Sequence, residues 1–60
     1  MEGLIGEIGI AKTDILTKGK VSVHGELWNA KSNEPVREGE EVVVTDVERL
    51  VVKVKKTKGG

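Results

Sequence analysis

The sequence has no cysteine, phenylalanine, tyrosine or glutamine, and it has one proline and one tryptophan. Without cysteine the chain can form neither a disulfide nor a thiolate metal site. Ten basic residues balance ten acidic ones, so no net charge draws the chain broadly to nucleic acid or anionic lipid. No apolar run approaches the roughly 18 residues that span a bilayer, and the start has no signal-peptide pattern. These absences predict a soluble chain.

The length, 60 residues, fits one domain that spans residues 1–60. A domain of this size buries only about 60% of the surface that its unfolded chain exposes, so it depends on a compact apolar core. Valine dominates the apolar residues. Because β-branched residues favour strands, the composition predicts an all-β fold. Charged residues make up 33% of the chain, a bias typical of thermophile proteins.

The clearest strand alternation surrounds the dipeptide His24-Gly25. A two-residue turn at this dipeptide predicts a hairpin, and Gly25 suits the positive φ that such a turn requires. The predicted cross-strand pairs are Val23–Glu26, Ser22–Leu27 and Val21–Trp28. Because directly opposed residues share a face, Trp28 is expected to be largely buried in the core, against Val21, Val44 and Val52.

Three further strands are indicated by shorter alternating runs. The five predicted strands lie near residues 4–12, 20–24, 26–31, 41–48 and 50–55. Glycines in the first of these suit strong bending or close backbone approach. A change of parity before Val47 predicts a bulge near Thr45-Asp46, and the next turn is expected around Glu48-Arg49.

The connecting segments carry more specific expectations. Gly19 is a plausible left-handed residue, and Ile15 or Leu16 is expected to plug one end of a barrel. The polar segment 31–40 contains Pro35 and has no room for a useful helix. The last residues, about 56–60, are predicted to be a disordered tail.

Five short strands with tight connections predict a small closed barrel, since closure removes exposed edges. The favoured fold is a five-stranded Greek-key OB-like barrel that lacks the usual helix between the third and fourth strands. An SH3-like barrel and a biotinyl-type sandwich are the alternatives. A biotin or lipoyl carrier is excluded, because the hairpin turn holds His24-Gly25 and no lysine.

Ordered spacing across nearly the whole chain carries a family resemblance. The matching positions are Gly6, Gly9, Ala11, Thr13-Asp14, Gly19, Val21, Val23, Gly25-Glu26, Trp28, Ala30, Gly39, Val42, Val44, Val47, Leu50 and Val52. With this pattern the chain resembles the C-terminal soluble domain of the NfeD proteins, the stomatin operon partners. It departs from the family in having Leu16-Thr17 where an Arg-Pro pair is expected.

The resemblance implies an OB-type barrel that serves a membrane-associated protein working with a stomatin partner in membrane protein assembly or quality control. It also implies that such domains are usually fused to transmembrane helices, and that longer relatives carry a separate serine protease domain. Any membrane contact would then come only through regions absent from this chain. The matching residues are glycines and core residues, so no catalytic role transfers to them.

The residues themselves point to no enzyme and no cofactor. Ser22 or Ser32 with His24 would need a positioning motif such as a nucleophile elbow, and none is present. His24 in a turn is interpreted as a solvated residue. The acidic residues Glu38, Glu40 and Glu41 lack the spacing of a metal loop and are interpreted as a solvated edge.

Single-stranded nucleic-acid binding is the alternative function, because OB barrels often have it. The basic strip that would support it consists of Lys53, Lys55, Lys56 and Lys58. The preferred interpretation is a non-catalytic interaction domain that docks a stomatin-like protein or an adjacent domain of its parent. The candidate interaction face consists of the outward-facing residues Leu27, Val43 and Val51.

Overall fold

The computed structural model describes residues 2–57, and strands account for most of them. A short 3₁₀ helix (Glu2–Leu4) precedes five strands. The strands are β1 (Ile8–Ala11), β2 (Lys18–Val23), β3 (Glu26–Lys31), β4 (Glu41–Glu48) and β5 (Val51–Lys56). Within this part of the chain, no helix is long and apolar enough to cross a bilayer.

The strands close into a barrel in the order β1-β2-β3-β5-β4, with β4 paired back to β1. The β3–β5 pair is parallel and the other pairs are antiparallel. The predicted five-stranded OB-type barrel is confirmed. The connection from Lys31 to Glu41, all of it described, contains no helix, as expected from its polar sequence.

The β2–β3 hairpin has the register that the turn signal predicted. Val23 pairs with Glu26, and the ladder continues to a Lys18–Lys31 pair at the far end. His24 and Gly25 both have positive φ, 54° and 76°, which suits a two-residue turn between twisted strands.

The core fills the barrel with small branched side chains. Its buried members are Leu4, Ala11, Ile15, Val21, Val23, Ala30, Val36, Val42, Val44, Val52 and Val54. Ile15 closes one end, and its N–H donates to the Val36 carbonyl over 2.7 Å. Leu16 is 73% exposed. Of the two residues predicted to plug the barrel, Ile15 therefore does so and Leu16 does not.

The first strand is shorter than predicted and begins at Ile8. Gly6 has a φ of 90°, and the chain turns there after the 3₁₀ helix. Gly9 faces inward, where an added Cβ would lie 2.7 Å from the carbonyl oxygen of Ser22. The strand therefore presents its small residues to the packed interior and turns Ile8 and Ile10 outward.

Other local predictions were confirmed or corrected. The register shift lies between Val44 and Asp46, as expected, whereas the following turn is at Arg49-Leu50, one residue later than predicted. Gly19 does not have positive φ. It is required for packing, because a Cβ there would lie 2.7 Å from Ile15 Cγ1.

The C-terminal strand runs further than predicted. β5 includes Lys56, and the hydroxyl of Thr57 donates to Glu41 Oε1 over 3.0 Å. The β4–β5 ladder ends with the pair of Val42 and Lys56. Residues 58–60 of the predicted tail lie outside the described residues.

Candidate interaction surface

The three residues of the candidate interaction face lie on two different sides of the barrel. Leu27 is 61% exposed on β3, and Val51 is half-buried at the start of β5, beside Asn29 of β3. Val43 is half-buried on β4, opposite Ile8 of β1. Val43 pairs with Lys55 of β5. Lys55 is four residues from Val51 on that strand, so Val43 and Val51 are separated by about 13 Å along the strand direction. The structure brings Leu27 and Val51 to one surface and leaves Val43 on another.

The surface that contains Leu27 and Val51 is a series of three adjoining grooves along β3. The first, about 480 Å³, is lined by Glu26, Leu27, Trp28, Asn29 and Leu50. The second, about 310 Å³, is lined by Lys18, Gly19, Asn29, Ala30, Lys31 and Val51. The third, about 190 Å³, is lined by Thr17, Lys31, Ser32, Asn33, Lys53 and Val54. Since Asn29 and Lys31 are each shared by two grooves, we call the whole surface the β3 channel.

The apolar end of the β3 channel is formed by Leu27, Trp28 and Leu50. Leu50 is 68% exposed. Trp28 pairs with Val21 and packs against the core, but it is only partly buried. The predicted pairing of Trp28 with Val21 is confirmed, and a part of the ring remains exposed. β5 begins to pair with β3 only at Asn29, so no strand within residues 2–57 lies beside Trp28 on that side.

The Trp28 indole also carries an unpaired donor. Its Nε1 is buried and has no hydrogen-bond partner among the described residues. Leaving a buried N–H unpaired costs about 1–3 kcal/mol. The ring is therefore held by packing alone at the edge of the channel.

The other end of the β3 channel is basic because three lysines lie side by side across three strands. Lys18 pairs with Lys31 across β2 and β3, and Lys31 pairs with Lys53 across β3 and β5. Like charges directly opposite one another are destabilising. The carboxylate of Glu48 lies between two of them, 3.6 Å from Lys31 Nζ and 3.5 Å from Lys53 Nζ. Among the side chains described for residues 3–57, Lys18 forms no ion pair.

Asn29 joins the two ends of the channel. Its Oδ1 accepts a hydrogen bond from Lys20 Nζ over 2.8 Å, which fixes the amide between the two grooves that it lines. Sequence reasoning missed Lys18, Lys20 and Lys31 as site residues. Extending the predicted hairpin ladder by three pairs beyond Val21–Trp28 would have placed Lys18 opposite Lys31.

A second apolar area lies on the outer wall of β1 and β4. It consists of Ile8, Ile10 and Val43, and we call it the β1–β4 patch. Ile8 is 48% exposed and lies opposite Val43, while Ile10 is 38% exposed and lies opposite Glu41. Lys55 of β5 pairs with Val43 on its other side. The patch is therefore a small apolar area on an outward-curving wall, bordered by charged residues.

The remaining candidate residues are engaged in local contacts. His24 is exposed as expected, and its Nε2 lies 2.7 Å from Glu7 Oε1. Glu40 Oε1 accepts the N–H of Arg37 over 2.7 Å, and its other oxygen lies 4.0 Å from Lys56 Nζ. Across residues 2–57, no three carboxylate or imidazole side chains are grouped to hold a metal ion.

Comparison with known proteins identifies close relatives of this barrel. Residues 1–56 match the model of the family described as NfeD-like C-terminal, partner-binding domain. The uncharacterized protein MJ0826 of Methanocaldococcus jannaschii is 33% identical over 60 residues, 97% of this chain and 44% of that protein. The chain therefore spans less than half of the length of this relative.

Solved structures share the fold over 79–97% of their own length. The C-terminal domain of stomatin operon partner protein 1510-C from Pyrococcus horikoshii superposes with a TM-score of 0.91, at 35% identity over 97% of this chain and 94% of that one. The thermophile-like composition fits this relative. A second structure is the soluble domain of a membrane protein implicated in regulation of membrane protease activity, from Corynebacterium glutamicum. It superposes with a TM-score of 0.88, at 28% identity over 95% of this chain and 97% of that one. The soluble domain of the NfeD protein YuaF from Bacillus subtilis, at 24% identity, shares the fold with a TM-score of 0.84 over 97% of this chain and 79% of that one.

Proposed function

This chain belongs to the family of NfeD-like C-terminal, partner-binding domains, and from that premise we propose that it docks a stomatin-like protein, or an adjacent domain of its parent, within a membrane-associated complex. The family is a partner-binding one rather than a catalytic one. The observation that carries the choice of partner is the 35% identity, over almost the full domain, to a domain of a stomatin operon partner protein.

The process that such a complex serves is membrane protein assembly or quality control. Supporting this, the Corynebacterium glutamicum relative belongs to a membrane protein implicated in regulation of membrane protease activity. Anchoring in the membrane would come through regions other than the described barrel. Proteolysis would belong to a separate serine protease domain, which the family resemblance implies for longer relatives.

The docking surface in this proposal is the β3 channel, with Leu27 and Val51 of the candidate face. A buried aliphatic side chain contributes about 1.5–3 kcal/mol before association costs are subtracted. With few exposed apolar residues in the channel, the isolated domain binds weakly. Two proteins held in one membrane bind more tightly, because each raises the effective concentration of the other. Val43, on the β1–β4 patch, lies apart from this surface and is left out of the proposed docking site.

Nucleic-acid binding is disfavoured by the arrangement of the lysines. Of the predicted basic strip, Lys53 is paired with Glu48 and Lys56 with Glu40. Single-strand binders also stack bases on exposed aromatic rings, and the one aromatic residue here, Trp28, is packed against the core. Two of the four lysines of the strip are thus ion-paired, and no exposed aromatic ring lies beside the strip within residues 2–57.

The test is a titration of this domain with the soluble part of its stomatin-like partner, using the double variant Leu27→Ser with Val51→Ser. Loss of two aliphatic contacts is expected to weaken binding by about tenfold or more. Val43→Ser is the matched control for the β1–β4 patch and is expected to weaken binding by about threefold or less. Absence of binding, even with both full-length proteins in one membrane, would contradict the proposed function.

A further inference from the structure

We propose that the β3 channel binds an extended acidic segment of the partner, which places one apolar side chain at the Leu27–Leu50 end and its carboxylates against Lys18 and Lys31. This inference rests on the proposed function and names the chemistry of the ligand for the same surface. It is carried by charge, by spacing and by an open strand edge, each of which is visible in the described residues.

The charge at the basic end is only partly balanced by the barrel itself. Asp46 of β4 lies opposite Lys53, and Glu48 reaches both Lys53 and Lys31. Lys18 has no acidic partner among the side chains of residues 3–57, and it lies directly opposite Lys31. The uncompensated positive charge therefore lies at the second groove, which Lys18 and Lys31 both line. A carboxylate placed there would relieve the repulsion between these two lysines.

The floor of the same groove is largely apolar, which favours a peptide over a free anion. Between the lysines the groove is lined by Gly19, Ala30, Val51 and the amide of Asn29. The apolar end begins at Leu27, four residues before Lys31 on β3, or about 13 Å along the strand. An extended segment has the same rise, so an apolar residue and an acidic residue four positions later would reach both ends at once.

The edge of β3 is also open beside Leu27. In a hairpin with a two-residue turn, the pair that flanks the turn exchanges both of its main-chain hydrogen bonds. Here that pair is Val23–Glu26, so the N–H and C=O of Leu27 point away from β2. On that side the ladder with β5 begins only at Asn29. An extended segment can therefore add main-chain hydrogen bonds at Leu27, as in strand addition to a sheet edge.

Trp28 provides a built-in reporter for the test. It is the one tryptophan of a chain without tyrosine, and it lines the apolar end of the channel. The probe is an unlabelled eight-residue peptide that has a leucine and, four and six positions later, two glutamates. Saturable change in Trp28 emission is expected, together with affinity that falls as salt rises. Replacing both glutamates by glutamine is expected to weaken binding about five- to tenfold, and replacing the leucine by serine by a similar factor.

Matched protein variants separate the channel from the rest of the surface. Lys18→Glu turns an attraction into a repulsion at an exposed position, and it is expected to weaken binding of the acidic peptide about tenfold. Lys55→Glu changes the charge of the protein by the same amount on the β1–β4 side and is expected to leave binding within about twofold. Equal losses in the two variants would show a non-specific charge effect and overturn the proposal.

Two outcomes distinguish this inference from the proposed function. If the stomatin-like partner binds and neither Lys18→Glu nor the acidic peptide affects it, the inference fails and the proposed function stands. If the peptide binds at the channel and the partner does not bind, the inference stands and the choice of partner fails. An eight-nucleotide thymidine single strand is the third probe. Tighter binding of this strand than of the acidic peptide would overturn the inference in favour of nucleic acid.

Discussion

The β3 channel and the β1–β4 patch expose similar aliphatic side chains, yet they differ in shape and in charge. The channel is concave and combines Leu27, Leu50 and Val51 with a row of lysines. The patch consists of the outward side chains Ile8, Ile10 and Val43 on two paired strands, with Lys55 beside Val43. Concave sites bury more of a ligand and use a few polar groups to fix its orientation. Exposed apolar area alone therefore does not identify a docking site, and the channel is the better candidate.

Each surface rests on a glycine that has no space for a side chain, and substitution there has the largest expected effect. Gly9→Ala should destabilise the barrel by about 2–3 kcal/mol, because its Cβ would meet the carbonyl oxygen of Ser22. Gly19→Ala should cost about 1–3 kcal/mol, because its Cβ would lie 2.7 Å from Ile15 Cγ1 and 2.9 Å from the backbone carbonyl oxygen of Asp14. Urea unfolding gives both values. Gly3→Ala, with no atom within 4 Å of the added Cβ, is the control and should change stability by less than about 0.5 kcal/mol.

Trp28 supports the channel and not the patch, so its truncation should affect stability and docking together. Because the ring is only partly buried, Trp28→Ala should cost about 2–3 kcal/mol, below the range of about 3–5 kcal/mol for a fully buried aromatic. Trp28→Phe should be nearly neutral, since it keeps most of the packing and removes the buried N–H that lacks a partner. Thermal unfolding of both variants checks this. A cost above about 1.5 kcal/mol for Trp28→Phe would contradict the assignment of an unpaired N–H.

Local sequence signals predicted the fold well where nearby residues determine the backbone conformation. The His24-Gly25 turn predicted the hairpin and its register, and the parity of Val47 predicted the bulge. The first strand was predicted less well. Its length depends on the turn at Gly6, and its inward face is set by how closely Gly9 approaches β2, which is a tertiary constraint.

The candidate site was predicted only in part. Alternation along strands correctly placed Leu27, Val43 and Val51 on half-buried or exposed positions. Alternation does not say which strands are neighbours, so it could not show that Val43 lies apart from the other two. The groove at Leu50 depends on the parallel β3–β5 pairing, which is a long-range feature of barrel closure.

One serine substitution on each surface tests which of the two surfaces binds the partner. Leu50→Ser removes an exposed side chain of the channel and should weaken partner binding about fivefold. Ile8→Ser removes a comparable side chain of the β1–β4 patch and should change binding by less than about twofold. Isothermal titration gives both affinities. The reverse order would transfer the docking role to the β1–β4 patch.

The smallest expected effect concerns the carboxylate that the channel lysines share. Glu48→Gln removes the partner of Lys31 and Lys53, so binding of the acidic peptide should tighten by about twofold. Stability should fall by no more than about 0.5 kcal/mol, because both ion pairs are solvent-exposed. Glu7→Gln, which removes the carboxylate beside His24, is the matched control and should leave peptide binding unchanged. If Glu48→Gln weakened peptide binding, the result would contradict the proposal that the carboxylates of the peptide lie beside Lys31.

The most direct measurement of where this domain docks is backbone amide chemical-shift mapping with the soluble part of the stomatin-like partner. Docking at the β3 channel predicts that the largest shift changes fall on Leu27, Asn29, Lys31 and Val51. The amides of Ile8, Ile10 and Val43 should change little. Shift changes concentrated on those three residues, with the β3 amides unchanged, would contradict the account.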